Sequence, residues 1–182
     1  MNASSVIEAT RPIRTFAGAK FLSAGDRRAN LAGLPQGELK NRVGILLSVL
    51  VNNGATFIIF DCRGGVDVES LAICNAVDEI ILIVESDTTS FQATRDMLDI
   101  FRDARVASKV TGFIVNKVFE DPANLARNGT ALFRTQFLSA VPFDFDADAR
   151  FLCGQTPTNR LDIRYPCSAR LESGFSKSYS ST

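Results

Sequence analysis

The chain contains 182 residues, of which 46% are hydrophobic and 22% charged, enough apolar sequence to form the core of one ordinary globular domain. Its 20 lysines and arginines are balanced by 20 aspartates and glutamates, which argues against a protein that coats nucleic acid through overall positive charge. There is no histidine, and this excludes histidine-based catalytic triads, histidine metal ligands and histidine pH switches.

The first half of the chain contains two helical patterns and two runs with strand character. Residues Lys20–Ala24 are the first strand candidate and are followed by Gly25. Glu38–Asn53 is predicted to be a helix, because its apolar residues recur every three or four positions and therefore share one face. Thr56–Phe60 (TFIIF) is predicted to be a buried strand, and Val68–Asn75 resumes a helical pattern.

The second half alternates strands and helices more regularly. Glu79–Glu85 (EIILIVE) contains a continuous apolar run, which predicts a strand covered on both faces. A helix over about Ser90–Arg105 follows, because apolar side chains line one face and charged ones the other. Two further strands are predicted at Val110–Val115 and Phe137–Val141.

This order of elements predicts the fold class. Strand–helix–strand units connect parallel strands, so we expect an α/β, three-layer domain with a mostly parallel sheet and helices on both faces. The domain is predicted to span residues 1–158. Residues 159–182 end in GFSKSYSST and are predicted to be a mildly basic, flexible tail without an amphipathic membrane-binding helix.

Polar residues that directly follow the predicted strands are the first candidates for a site, because ligands of open α/β sheets lie beyond the carboxyl ends of the strands. Asp61 follows Thr56–Phe60 and precedes Gly64 and Gly65. A carboxylate in that place can hold Mg²⁺ through water, and the glycines allow the backbone to approach a phosphate. The alternative is a carboxylate that caps the following turn, and these residues alone do not decide between the two roles.

Three more candidates follow the last two strands. Asn116 comes after Val110–Val115, and its amide can offer both a donor and an acceptor to a purine edge. Pro142 and Asp144 come after Phe137–Val141 and can shape a base pocket. Taken singly, each of these residues is more typical of an ordinary turn or loop.

The order of the segments is more specific than any one of them. The sequence runs through FIIFDCRGG, a helix, DEIILIVESDTTSFQATRDML, GFIVNK and FLSAVPFDFDADARFL. This pattern resembles the ParA/MinD family of deviant-Walker P-loop ATPases and covers residues 18–155, approximately. The family's landmarks are matched in order by Asp61–Gly65, Val77–Glu79, Thr89–Ser90, Asn116 and Pro142.

The resemblance implies a P-loop NTPase-like fold, ATP and Mg²⁺ as ligands, and a homodimer or a partner protein. It also implies a role in partitioning or positioning. By the same resemblance, Asp61 would be the catalytic residue and would hold Mg²⁺ through water. The nucleotide would be bound by Asn116, Pro142, Asp144, Gly64 and Gly65.

The sequence departs from the family at the phosphate end. It contains neither GxxxxGK(S/T) nor KGGxGK(S/T), and Arg63 stands where the family has a proline. We therefore expect an N-terminally incomplete ATPase that is inactive alone. The alternative is a non-catalytic, pseudo-ATPase module for dimerisation or partner binding. A third hypothesis, a receiver-like phosphoacceptor built on Asp61, Thr88 and Lys117, lacks the acidic pair that should follow the first strand.

The four cysteines and the absence of targeting signals bear on the compartment. No two cysteines are spaced as CxxC, which argues against a zinc ribbon or a redox pair. The first residues lack the apolar segment of a secretory signal, and no apolar run approaches the roughly 20 residues of a membrane span. We expect a cytoplasmic protein, without sequence evidence for DNA or membrane binding, and free thiols at Cys62, Cys74, Cys153 and Cys167.

Overall fold

The computed structural model describes residues 3–13, 16–23, 35–119 and 121–144. Internal packing divides the chain into two compact units, residues 1–78 and residues 79–182. The predicted tail at 159–182 lies outside the described residues, as do Cys153 and Cys167. The predicted domain over 1–158 remains a prediction.

The described residues of the first unit form three helices and one short ribbon. Its elements are α1 (Ala3–Ala9), β1 (Arg11–Pro12), β2 (Lys20–Phe21), α2 (Gln36–Asn52) and α3 (Val68–Ala76). Helix α2 packs against both α1 and α3, and the buried apolar residues of this unit include Val6, Leu39, Val43, Ala72 and Cys74. The helices predicted at Glu38–Asn53 and Val68–Asn75 are confirmed within two residues at each end.

Both strand predictions in the first unit are wrong in part or in full. The run Thr56–Phe60 forms neither a strand nor a helix, and its side chains Phe57 and Ile59 are 85% and 92% exposed. The physical reason is that a strand exists only through hydrogen bonds to a neighbour, and no described strand pairs with this run. Among the described residues of the first strand candidate, 20–23, only Lys20–Phe21 forms a strand, and it pairs antiparallel with β1 instead of joining a parallel sheet.

The second unit is a parallel sheet with two helical crossovers. Its elements are β3 (Ile80–Glu85), α4 (Thr88–Asp103), β4 (Val110–Val118), α5 (Pro122–Phe133) and β5 (Phe137–Pro142). The strand order is β3-β4-β5, and both pairings are parallel. The three predicted strands and the first helix of this half are therefore confirmed. Strand β4 runs three residues beyond its predicted end, and α5 is an element that the sequence analysis did not identify.

One face of this sheet is the core of the second unit. Leu82 and Val84 of β3 lie beside Phe113 and Val115 of β4, and all four are buried. Helices α4 and α5 contact each other, and the ring of Phe133 on α5 meets the ring of Phe113 edge-on at 5.1 Å between centroids. Both helices thus pack on the face that carries Phe113.

The other face of the sheet corrects the prediction for β3. A strand covered on both faces would bury every apolar residue, but β3 alternates between buried and accessible positions. Ile81 and Ile83 are 39% and 62% exposed, and no described helix of this unit covers them. Within the second unit the described residues therefore form two layers, and the third layer stays a prediction.

Candidate functional site

The carboxyl ends of the three strands bring polar residues together in the second unit. Glu85, the last residue of β3, pairs in register with Asn116 of β4, and Pro142, the last residue of β5, pairs with Val118. Asn116 and Pro142 are therefore at the same edge of one sheet, as the sequence predicted. Asp144 follows two residues after Pro142 and is half-buried.

Strand β4 contains a β-bulge at this edge. Val115 pairs with Ala140 and Val118 pairs with Pro142, so β4 uses one residue more than β5 over the same interval. The backbone of Lys117 has a φ of 57°, in the left-handed region that costs a residue with a side chain about 1 kcal/mol or more. Because of the extra residue, Val115 and Val118 both point into the core. Bulges of this kind change the direction of side chains and are frequent beside functional sites.

Two side-chain contacts hold the bulge to the end of β3. The Ser86 hydroxyl donates a hydrogen bond to the carbonyl oxygen of Lys117 over 2.7 Å. The Lys117 ammonium forms an ion pair with Glu85, with 2.7 Å between Nζ and Oε1. The pair is about half exposed, so its contribution to stability is at most about 1 kcal/mol. The pair also ties Lys117, the residue with left-handed backbone, to the neighbouring strand. The ammonium group that follows Asn116 in the sequence is therefore already engaged by a carboxylate.

The predicted Thr89–Ser90 landmark proves to be the start of α4. The Asp87 carboxylate caps the helix by accepting from the backbone N–H of Ser90 over 2.9 Å. The Ser90 hydroxyl in turn accepts from the backbone N–H of Glu85 over 2.9 Å. These polar side chains thus satisfy backbone groups where β3 becomes α4 and fix the turn between them.

An aromatic pair lies beside these polar groups, and the sequence analysis did not identify it. Phe119 and Phe143, which follow β4 and β5, stack with ring centroids 4.8 Å apart and 24° between the ring planes. The backbone N–H of Phe143 donates to the carbonyl oxygen of Val118 over 3.0 Å and continues the pairing of the two strands. The sequence signal that could have predicted this pair is a phenylalanine just beyond the end of each of two neighbouring strands.

The residues around Asp61 belong to the first unit. The stretch from Asp61 to Gly65 is exposed and forms neither helix nor strand. Gly65 has a φ of 90°, a conformation that only glycine adopts at little cost. The Arg63 guanidinium approaches the Glu69 carboxylate at 4.0 Å, a distance at the limit of an ion pair. The segment is thus exposed from its carboxylate to its glycines, and its roles toward Mg²⁺ and phosphate stay predictions.

The surroundings of Cys62 disfavour its thiolate form. Partial desolvation raises the pKa of Cys62 above its ordinary value, and the nearby carboxylates of Asp61 and Asp67 raise it further. A raised pKa lowers the thiolate fraction at neutral pH, and the thiolate is the nucleophile. Neither Cys62 nor the buried Cys74 forms a disulfide, as predicted.

A solved structure with a similar fold is known. The chain is similar in fold to a ParA family ATPase from Chlorobium tepidum TLS. The similarity has a TM-score of 0.71 and covers 96% of this chain and 70% of the other, at 12% sequence identity. At that identity the likeness shows a common ParA-like, P-loop NTPase-like fold. No protein-family model matches the sequence, and no curated protein matches it either.

The residues present fit one half of a nucleotide better than the other. At the base end, Asn116 offers a donor and an acceptor beside a stacked aromatic pair. At the phosphate end, the sequence has no glycine-rich loop with lysine, and the described residues contain no cluster of three potential metal ligands. A single carboxylate such as Asp61 holds Mg²⁺ only together with phosphate oxygens and water. In the part of the chain that the structure describes, no helix is both long and apolar enough to cross a membrane.

Proposed function

We propose that this chain is a portion of a nucleotide-dependent partitioning or positioning ATPase of the ParA/MinD type, acting in the cytoplasm. The observation that carries the proposal is the ParA-like fold together with Asn116 and Pro142 at adjacent carboxyl ends of its parallel sheet. That edge is where open α/β sheets bind their ligands. The proposal concerns ATP and Mg²⁺ as ligands, and a homodimer or a partner protein as the assembly.

Each site residue has a proposed role that follows from its chemistry. The Asn116 amide recognises the purine edge, and Pro142 and Asp144 bound the base pocket. Asp61 orients a water in the shell of Mg²⁺, while Gly64 and Gly65 allow the backbone to approach the phosphates. Mg²⁺ supplies charge neutralisation of the transferred phosphoryl group when it is bound.

The proposal includes inactivity of the 182 residues by themselves. P-loop proteins hold triphosphate mainly through preorganised backbone amides and a lysine, and the sequence contains no such loop. The Lys117 ammonium is paired with Glu85, so it does not replace that loop. We expect at most weak ATP binding and no hydrolysis.

Calorimetric titration with Mg-ATP and a phosphate-release assay on the purified chain test this expectation. Asp61→Asn is the matched variant, because it removes the charge and keeps the shape. Micromolar binding with steady turnover that Asp61→Asn abolishes would show that the chain contains a phosphate site of another kind. Absence of turnover with weak, Asn116-dependent binding is the expected result.

The second candidate function is a non-catalytic module for dimerisation or partner binding. The observation that favours it is apolar surface that each unit leaves accessible. Phe57 and Ile59 are almost fully exposed in the first unit, and Ile83 is 62% exposed in the second. Sedimentation velocity with and without Mg-ATP distinguishes the two functions. A dimer that forms equally well without nucleotide favours the module, and one that requires nucleotide favours the ATPase portion.

A further inference from the structure

The aromatic pair at the ends of β4 and β5 has no role in the site as proposed above. Stacking covers one face of each ring, and Phe119 nevertheless keeps 66% of its surface exposed. Most of Phe119 is therefore accessible although its ring is stacked on Phe143. An accessible aromatic ring is a suitable surface for a flat heterocycle, because offset stacking of π-systems is favourable.

The bulge in β4 determines which side of the sheet Phe119 shares with Asn116. In a regular strand, residues separated by three positions point to opposite faces, so Asn116 and Phe119 would lie on different sides of the sheet. The extra residue at Lys117 restores the same side for both. The burial pattern agrees, since Val115 and Val118 are buried while Asn116 is half-buried and Phe119 is exposed.

The backbone that carries the two rings is held by contacts within the second unit. Phe143 is held by its backbone hydrogen bond to Val118, and the bulge is held by Ser86 and by the ion pair between Lys117 and Glu85. A surface that is already ordered loses little conformational entropy on binding, which raises the affinity it can give.

We propose that Phe119, backed by Phe143, is a stacking platform for the base of a purine nucleoside whose edge is hydrogen-bonded by Asn116. This inference rests on the proposed nucleotide site and assigns to it a further binding residue. The amide provides the directional contact and the ring provides the apolar area. Aromatic platforms of this kind contribute to base binding in many proteins and are tolerant of base identity, so discrimination falls to Asn116.

The absence of tryptophan from the chain allows a direct test. Phe119→Trp introduces the chain's only tryptophan at the platform, and a base stacked on the indole quenches its fluorescence. The probe is adenosine, which carries no phosphate and therefore reports on the base end alone. Phe21→Trp is the matched control, because Phe21 is 58% exposed and belongs to the first unit. Binding to the unmodified chain is measured independently by saturation-transfer NMR with adenosine and with ribose 5-phosphate.

We expect saturable quenching of Phe119→Trp by adenosine, none for Phe21→Trp, and no response to ribose 5-phosphate. Adding Asn116→Ala should weaken the apparent affinity, and Phe119→Leu in the otherwise unmodified chain should weaken adenosine binding about fivefold or more. If adenosine binds the unmodified chain but Phe119→Leu leaves the affinity unchanged, the platform is refuted while the proposed function stands. If the unmodified chain does not bind adenosine at all, the base site is refuted together with the platform, and the non-catalytic module becomes the favoured function.

Discussion

Replacing Gly129 by alanine should destabilise the second unit, although the same change stabilises most helices. Gly129 lies within α5, and a Cβ built there would lie 2.5 Å from two ring carbons of Phe113. Ordinary contact between carbon atoms is about 3.5–4 Å, so the ring would have to move by about 1 Å. Phe113 is fully buried, with the rings of Phe133 and Phe137 at 5.1 Å and 5.5 Å between centroids. It therefore has no free space into which to move.

The magnitude follows from two opposing effects. Overpacking of a filled core costs about 1–3 kcal/mol, and replacing glycine by alanine in a helix gains about 1 kcal/mol. The expected net loss is the difference of the two effects, about 0–2 kcal/mol. The matched control is Gly44→Ala in α2, where no atom lies within 4 Å of the added methyl group. That variant should gain about 1 kcal/mol, because only the helix propensity changes.

Urea denaturation followed by circular dichroism measures both variants, and hydrogen exchange of the α5 amides localises the effect to the second unit. The double variant Gly129→Ala with Phe113→Leu adds a direct check, because removal of the ring should relieve the overlap. The two changes together should then cost less than their separate costs added. A Gly129→Ala chain as stable as the Gly44→Ala chain would refute the packing that we describe between α5 and β4.

Three further predictions concern a helix cap, a strained residue and the site. Asp67→Ala should cost about 1 kcal/mol at neutral pH, because this carboxylate caps α3 by accepting from the Ser70 N–H over 2.7 Å. That hydrogen bond lowers the pKa of Asp67 below its ordinary 3.8, so the contribution is present above that pH and is lost as the pH falls through the lower folded value. Urea titrations over an acidic pH series should therefore show the cost of Asp67→Ala shrinking, and a constant difference would contradict the cap. Arg134→Gly should raise the stability by about 0.5–1 kcal/mol in thermal unfolding, because Arg134 ends α5 in the left-handed conformation with a φ of 55°; a lower melting temperature would mean that the arginine side chain outweighs the strain. With a phosphate-binding loop supplied upstream, Asn116→Ala should weaken ATP binding by about 1–3 kcal/mol in calorimetry, whereas Asp61→Asn should impair hydrolysis more than binding; equal affinity of the Asn116 variant would remove that residue from the site.

The strands of the second unit were predictable because their apolar runs are continuous and are separated by a clear helical pattern. The run at Thr56–Phe60 has the same local character and yet forms no strand. The residues of this run favour extended backbone, but only a partner strand satisfies the hydrogen bonds of that backbone. The local sequence does not show which strand the partner would be. Parallel pairing of three strands was thus a sound expectation, and extending it to a fourth was not.

Helix α5 was overlooked because its sequence, PANLARNGTALF, contains glycine and asparagine and has modest helix preference. A signal was nevertheless present at its start. Asp121 caps the helix by accepting from the Ala123 N–H over 3.1 Å, and Pro122 occupies the first turn, where its missing N–H does no harm. Gly129 suggests a break in the sequence, whereas in the structure it is the small residue that the ring of Phe113 requires.

The edge formed by Asn116 and Pro142 was predictable from their positions after two strands. The bulge between them was not, because lysine is an unusual residue for left-handed backbone and nothing local marks Lys117. Its conformation depends on contacts with Glu85 and Ser86, which are remote in sequence. For the same reason, the shared side of Asn116 and Phe119 is visible only in the structure.

The parallel pairing of β3, β4 and β5 has a consequence for the order of events in folding. Two antiparallel strands can pair progressively from the turn that joins them, but parallel neighbours have no such starting point. The contact between Ser86 and Lys117, for example, joins residues 31 positions apart, and the loop between them must close before any strand bond forms. Helices α4 and α5 form from local contacts on a much faster timescale. We therefore expect the time course of this unit to be set by the docking of two helices that carry their strands into place.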